Sequence, residues 1–170
     1  EDSALSNPDP ILTLPSLGAA GKLANIISAI YTAVELLTPF YDATHTFTRW
    51  PSLDDMRTAD PSPSFRAFRV GVTRVEKSQS IQCSATKIAK KARVTISINY
   101  PIGYFSDDDA NSLGVEVLRE DDGAMIVNTL CFIRPNVIQA TIGDVRSLKW
   151  VSSDMVGRLW VVALDVEYLE

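Results

Sequence analysis

Leu159-Trp160-Val161-Val162-Ala163-Leu164-Asp165-Val166-Glu167-Tyr168 is the stretch on which the fold turns. Successive side chains of a strand point to opposite faces, so Trp160, Val162, Leu164, Val166 and Tyr168 share one face. Val161, Ala163, Asp165 and Glu167 form the other, which begins apolar and ends charged. A strand with one continuous apolar face lays it on a core, and Trp160, Val162, Leu164 and Val166 are expected to face the apolar stripe of the first helix. The segment therefore predicts a sheet with helices on one side.

Working outward, a second closing strand is predicted over roughly 138–151, with 153–157 as the turn that returns the chain. Further back, Phe68, Val70 and Val72 alternate with Arg69, Gly71 and Thr73, and Val94, Ile96 and Ile98 alternate with Arg93, Thr95, Ser97 and Asn99. Each reads as a half-buried strand. Tyr100-Pro101 closes the second, because proline has no N–H to give the ladder. Between them, residues 76–91 read as a polar connection too long for a tight hairpin.

Two helical patterns frame these strands. Leu23, Ile26, Ile27, Ile30, Val34 and Leu37 recur at i, i+3, i+4 and i+7, which predicts an amphipathic helix over 18–38. Ser16 is its expected N-cap and Pro39 its expected stop. A second helix is expected from the carboxylates Asp107, Asp108 and Asp109, which suit a helix N-terminus, through Leu113, Val117, Leu118, Ile126 and Leu130 to about Phe132. Gly114 and Gly123 weaken that pattern and predict a break near Asp121-Asp122.

The resulting class is α+β: an antiparallel or mixed four-stranded sheet with helices packed on one face, in the order helix-strand-strand-helix-strand-strand. Residues 1–17, with Pro8, Pro10 and Pro15, read as an extended N-terminal arm, and 18–170 as a single domain. Residues 40–64, rich in proline and aspartate, are expected to cross the surface as a long connection pinned by Phe47 and Trp50.

Composition limits the function. The 170 residues are 46% hydrophobic and 22% charged, ordinary values for a globular core. The net charge of -5 argues against gripping nucleic acid by phosphate neutralisation. Residues 19–37 are the most apolar long segment, but Lys22, Asn25 and Glu35 interrupt them, so a soluble chain is expected rather than a membrane span. Cys83 and Cys131 share no metal or redox spacing and are expected to be free thiols, Cys131 in the core.

Catalytic patterns are sparse. His45, the single histidine, stands in Asp42-Ala43-Thr44-His45-Thr46 with no nucleophile motif nearby, and is read as a loop histidine. Asp107, Asp108, Asp109, Glu120, Asp121 and Asp122 lack calcium-loop spacing and are read as a helix start and a solvated acidic face. Asp144 and Lys149 give only a fragment of a nuclease-like pattern. No catalytic, cofactor-binding or metal-ligating residue is assigned. The candidate site is instead a docking loop, Lys77, Lys87, Lys90, Lys91 and Arg93, a basic cluster in an acidic chain suited to an acidic partner.

The pattern resembles the tail terminator proteins of long-tailed bacteriophages, the lambda-like group. The carriers are Phe68-Arg69-Val70-Gly71-Val72, the strand 93–99 running into Tyr100-Pro101, the helix with Asp121-Asp122-Gly123-Ala124-Met125-Ile126 and Leu130, and the closing strand from Leu159 to Tyr168. The resemblance implies a structural virion protein, not an enzyme and without cofactors. Its copies would form a ring, a homohexamer in that family, that caps the tail tube in the neck of the virion. Its implied partners are itself, the tail tube protein and a head–tail connector, with DNA passing through without sequence-specific binding. Other head–tail connectors, tail-tube proteins and tail completion proteins are alternatives within the class. A small metal-dependent or ligand-binding α+β enzyme domain using Asp107 to Asp109 is the alternative outside it.

Overall fold

The computed structural model describes residues 21–40, 45–50, 65–79, 87–100, 114–132, 138–139, 142–157 and 159–170. The N-terminal arm, Ser16, Cys83, Pro101, Asp107 to Asp109 and most of the 40–64 connection lie outside the described residues. In chain order the elements are α1 (Lys22–Glu35), β1 (Thr48–Arg49), β2 (Ala67–Lys77), β3 (Ala89–Asn99), α2 (Val115–Val127), β4 (Val145–Val156) and β5 (Leu159–Leu169). A π-helical turn, Asn128–Phe132, extends α2. The α+β class is as the sequence predicts, and the element order is matched in part, since β1 enters between α1 and the strand expected to follow it. The sheet, however, has five strands rather than four, in the order β1-β2-β3-β5-β4.

The additional strand is β1, which runs parallel to β2 with Thr48 opposite Ala67 and makes the sheet mixed. Two residues are too few to display an alternating pattern, which is why this part of 40–64 reads as pure connection. Phe47 does pin it: the ring is buried and stands edge-on to Phe68 at 6.4 Å. Arg49 fastens β1 to α1 through Glu35 at 2.6 Å and lies over the Tyr31 ring at 4.8 Å.

The central strands follow the expected alternation. Phe68, Val70, Val94, Ile96, Ile98, Trp160, Val162, Leu164 and Val166 are all buried in one core. The register explains this: Val70 faces Ile96, which faces Val162, which faces Ser153, so each row crosses the sheet on one side. Both helices cover that side. On α1, Ile26, Ile30, Ala33 and Val34 are buried, and the Tyr31 hydroxyl accepts the Val70 N–H at 2.9 Å.

Several boundaries differ from the sequence reading. Helix α1 has Gly21 rather than Ser16 at its N-cap, with no side-chain cap, and ends at Glu35 instead of Thr38. The stop comes a turn before Pro39 because the residue preceding proline is already biased away from helical dihedrals. Helix α2 runs unbroken through Asp121-Asp122-Gly123. Tertiary contact overrides the weak propensity there: a Cβ on Gly123 would stand 2.8 Å from the Trp160 indole nitrogen, so glycine permits the close approach. That contact also shows that Trp160 packs against α2 rather than the α1 stripe.

Strand β4 starts and ends later than expected, since Ile138 and Gln139 occupy a helical turn and residues 153–156 extend the strand. Val156 already pairs with Leu159, so the β4–β5 connection is shorter than the expected 153–157 turn. Gly157 has φ +62, the left-handed conformation that tight two-residue hairpins require. Among the described residues no helix is long and apolar enough to cross a membrane.

Candidate functional site

The five basic residues of the expected docking loop do not form a loop. Lys77 ends β2, while Lys90, Lys91 and Arg93 lie on β3, with Lys77 opposite Lys90 and Glu76 opposite Lys91. Only Lys87 precedes the strand. Long polar side chains disguised the continuation of both strands: the far end of β2 is exposed on both faces, and on β3 the buried positions there are only the small Ala89 and Ala92. The charges are also largely satisfied within the chain. Lys87 meets Asp144 at 2.6 Å, Lys90 meets Glu170 at 2.7 Å, and Arg93 meets Asp165 at 2.6 Å with Lys91 at 3.6 Å from the same carboxylate. Lys77 alone of the five has no ion pair among the described residues.

The electrostatics agree with that geometry. Hydrogen bonding from Lys87, then Lys22, holds the Asp144 carboxyl below its ordinary range, and Lys90 does the same to Glu170. Burial pushes Asp165 upward, but the Arg93 hydrogen bond and the Arg93 and Lys91 charges outweigh it and leave the carboxyl lowered. Asp144 is thereby an ion-pair acceptor, and Lys149 is exposed on β4, so the nuclease-like pair is not brought together.

The acidic run is not uniformly solvated either. Asp122 is 1% exposed and grips Arg66, itself fully buried, through Nε at 2.7 Å and Nη2 at 3.1 Å. The Tyr100 hydroxyl donates to the same carboxylate at 2.5 Å. Arg66 also donates to the His45 carbonyl at 2.7 Å and lies over the rings of Phe65 and Phe47. Desolvation raises the Asp122 carboxyl above its ordinary value, against the pull of Arg66 and Tyr100; it raises the Tyr100 phenol well above its own. This node ties α2, β1 and the start of β2 together. Sequence reasoning missed Arg66, whose φ of 60 in a non-glycine residue leaves no mark in composition or periodicity. His45 contributes its carbonyl here and sets its ring edge-on to Phe65 at 5.5 Å. Among the described residues no three of His, Cys, Asp and Glu group as metal ligands. Cys131 is buried, as expected, and is not in a disulfide.

Exposed apolar side chains include Leu36 and Phe40 after α1 and Phe132 at the end of α2, and a further set follows the two margins of the sheet. On the β4 margin Trp150 is 50% exposed and Val156 60%, with Val151 and Met155 also exposed. On the other margin β1 pairs with Ala67 and Phe68, and the distal part of β2, which no other strand among the described residues covers, carries exposed Val72 and Val75. Beside β4 a cleft of about 450 Å³ opens between α2 and the sheet, lined by Val127, Phe132, Trp150, Ser153 and Trp160. The Trp160 indole N–H reaches this wall with no hydrogen-bond partner among the described residues. The sequence reading stopped β4 at Val151 and so missed Met155 and Val156; Gly157 before the closing strand was the available signal. No protein-family model matches the chain, and neither does any curated protein.

Proposed function

We propose that this chain is a structural subunit of a bacteriophage virion that works by assembling with copies of itself, as a tail terminator does when its ring caps the tail tube and prepares it to join the head. The observation that supports the reading is the pair of sheet margins, which among the described residues carry no further strand and expose apolar side chains: Trp150, Val151, Met155 and Val156 on one, Val72 and Val75 on the other. Long apolar edges invite pairing with another chain. Two different margins on one subunit give a heterologous contact, the kind that closes into a ring when the rotation between copies is right. In this reading the tail tube and a head–tail connector meet the ring on its two ends, and the ion-paired hairpin of β2 and β3 is part of the subunit body rather than a free basic hook.

Negative-stain microscopy of the purified chain, alone and mixed with assembled tail tubes, tests the proposal. Rings, and rings seated on tube ends, are the expected images. Separate globular particles that leave tube ends bare and tube length unregulated would refute it.

A further inference from the structure

The two margins have a geometry that selects one partner and one register. Taken in sheet order, β2, β3, β5 and β4 alternate in direction, so a second copy in the same orientation would place its β2 antiparallel to β4. Neither copy needs to be inverted.

The hydrogen-bonding parity also matches. The Val70 N–H turns away from β3 to the Tyr31 hydroxyl, which places the Val70–Ile96 row in the phase that points outward on the β2 side. Following the rows of the antiparallel ladder, Val72 and Val75 point outward on that margin, and Trp150 and Ser153 on the β4 margin. Opposed residues of an antiparallel pair must both point towards the partner, and these do. Tyr31 occupies the β2 edge at Val70 and Gln139 occupies the Arg146 carbonyl on β4, so among the described residues the open lengths are the far part of β2 and the later part of β4.

We infer that residues 148–153 of β4 pair antiparallel with residues 72–77 of β2 in a second copy, with Trp150 opposite Val75 and Lys149 opposite Glu76. This overlap of about six residues is an ordinary strand length. In this register Trp150 and Val75 cover each other on the helix side at the mouth of the cleft. On the other face Lys149, which has no ion pair among the described residues, meets Glu76. Asp154 lies diagonally from Arg74, so the charges alternate in sign across the junction. The β4 bulge at Trp150/Ser152 and the β2 bulge at Val72/Arg74 fall at adjacent steps of the pairing, so the facing patterns stay in phase through both.

The inference rests on the ring reading only in requiring that copies associate. Sedimentation velocity across a concentration series, on wild type, Lys149→Glu, Glu76→Lys and the double exchange, tests it. Both positions changed are exposed, and circular dichroism checks that each variant is folded. Each single reversal sets like charges opposite and should raise the concentration of half-assembly about ten-fold, while the double exchange restores it. Wild-type assembly that both single variants reproduce, or that the double exchange fails to restore, overturns this contact and leaves the ring reading standing. A wild type that stays monomeric throughout overturns both.

Discussion

Replacing Asp122 by alanine probes the tertiary node that joins α2 to the sheet. The carboxylate receives two bonds from Arg66, at 2.7 and 3.1 Å, and one from Tyr100 at 2.5 Å. Arg66 is 0% exposed, so losing Asp122 leaves a guanidinium inside the protein with its principal countercharge gone. Removing one member of a buried pair typically costs about 3–5 kcal/mol, much of it the penalty of the stranded charge. Tyr100→Phe keeps the pair and deletes one hydrogen bond to a charged group, which predicts a smaller loss of about 1.5–3 kcal/mol. Arg66→Met with Asp122→Leu removes both charges and should cost much less than the sum of the two single changes, because no buried charge is left unpaired. Urea unfolding of wild type, these variants and the two single changes, followed by tryptophan fluorescence and circular dichroism, gives the free energies. If Asp122→Ala costs less than about 1 kcal/mol, or the double variant is simply additive, the carboxylate is solvated and α2 is not anchored through Arg66.

Gly123→Ala sets helix propensity against packing: alanine should gain about 0.5–1 kcal/mol in the helix, yet its Cβ would meet the Trp160 ring at 2.8 Å, an overpacking cost of about 1–3 kcal/mol. Net destabilisation, relieved by Trp160→Phe, is expected in urea melts; a more stable Gly123→Ala chain would place α2 farther from β5. Acidification supplies another test: Asp144 and Asp165 sit below their ordinary 3.8 and Glu170 below its 4.5, so their stabilisation is complete above those values and is lost as pH falls through the lowered ones. Asp122 is raised above 3.8 and acts in the opposite sense, losing stability as pH climbs through its raised value, so Asp122→Asn should steepen the acid loss. Urea midpoints between about pH 6 and 3 report both effects, and a wild type that gains stability on acidification would contradict the three lowered carboxyls. Changing Lys87, Lys90 and Lys91 to glutamine should keep the fold, lower the melting temperature in dilute buffer and matter less in concentrated salt, since their partners are Asp144, Glu170 and Asp165. Thermal melts at two ionic strengths decide it; a melting temperature unchanged at low salt would mean that these pairs contribute nothing.

By itself the sequence determined what periodicity can encode. Alternation along β5, in the first half of β2 and along β3, together with the apolar stripe of α1, specified the α+β class and the residues of the core, because burial forces apolar side chains onto one face at a fixed spacing. Only the tertiary structure decided where alternation stops carrying information. The far end of β2 is exposed on both faces, so Lys77 and the lysines opposite it read as loop although they are paired strand. β1 is two residues that join the sheet by backbone pairing with β2, a contact that no side-chain pattern records. Asp122 and Asp121 are neighbours of identical chemistry, yet helix phase and the distant Arg66 bury one and leave the other partly exposed. Gly123 weakens a helix locally and is required globally, because the Trp160 indole occupies the space a side chain would fill. Long-range partners, strand order and the state of the sheet margins are relations between distant segments, and a single chain's local pattern has no term for them.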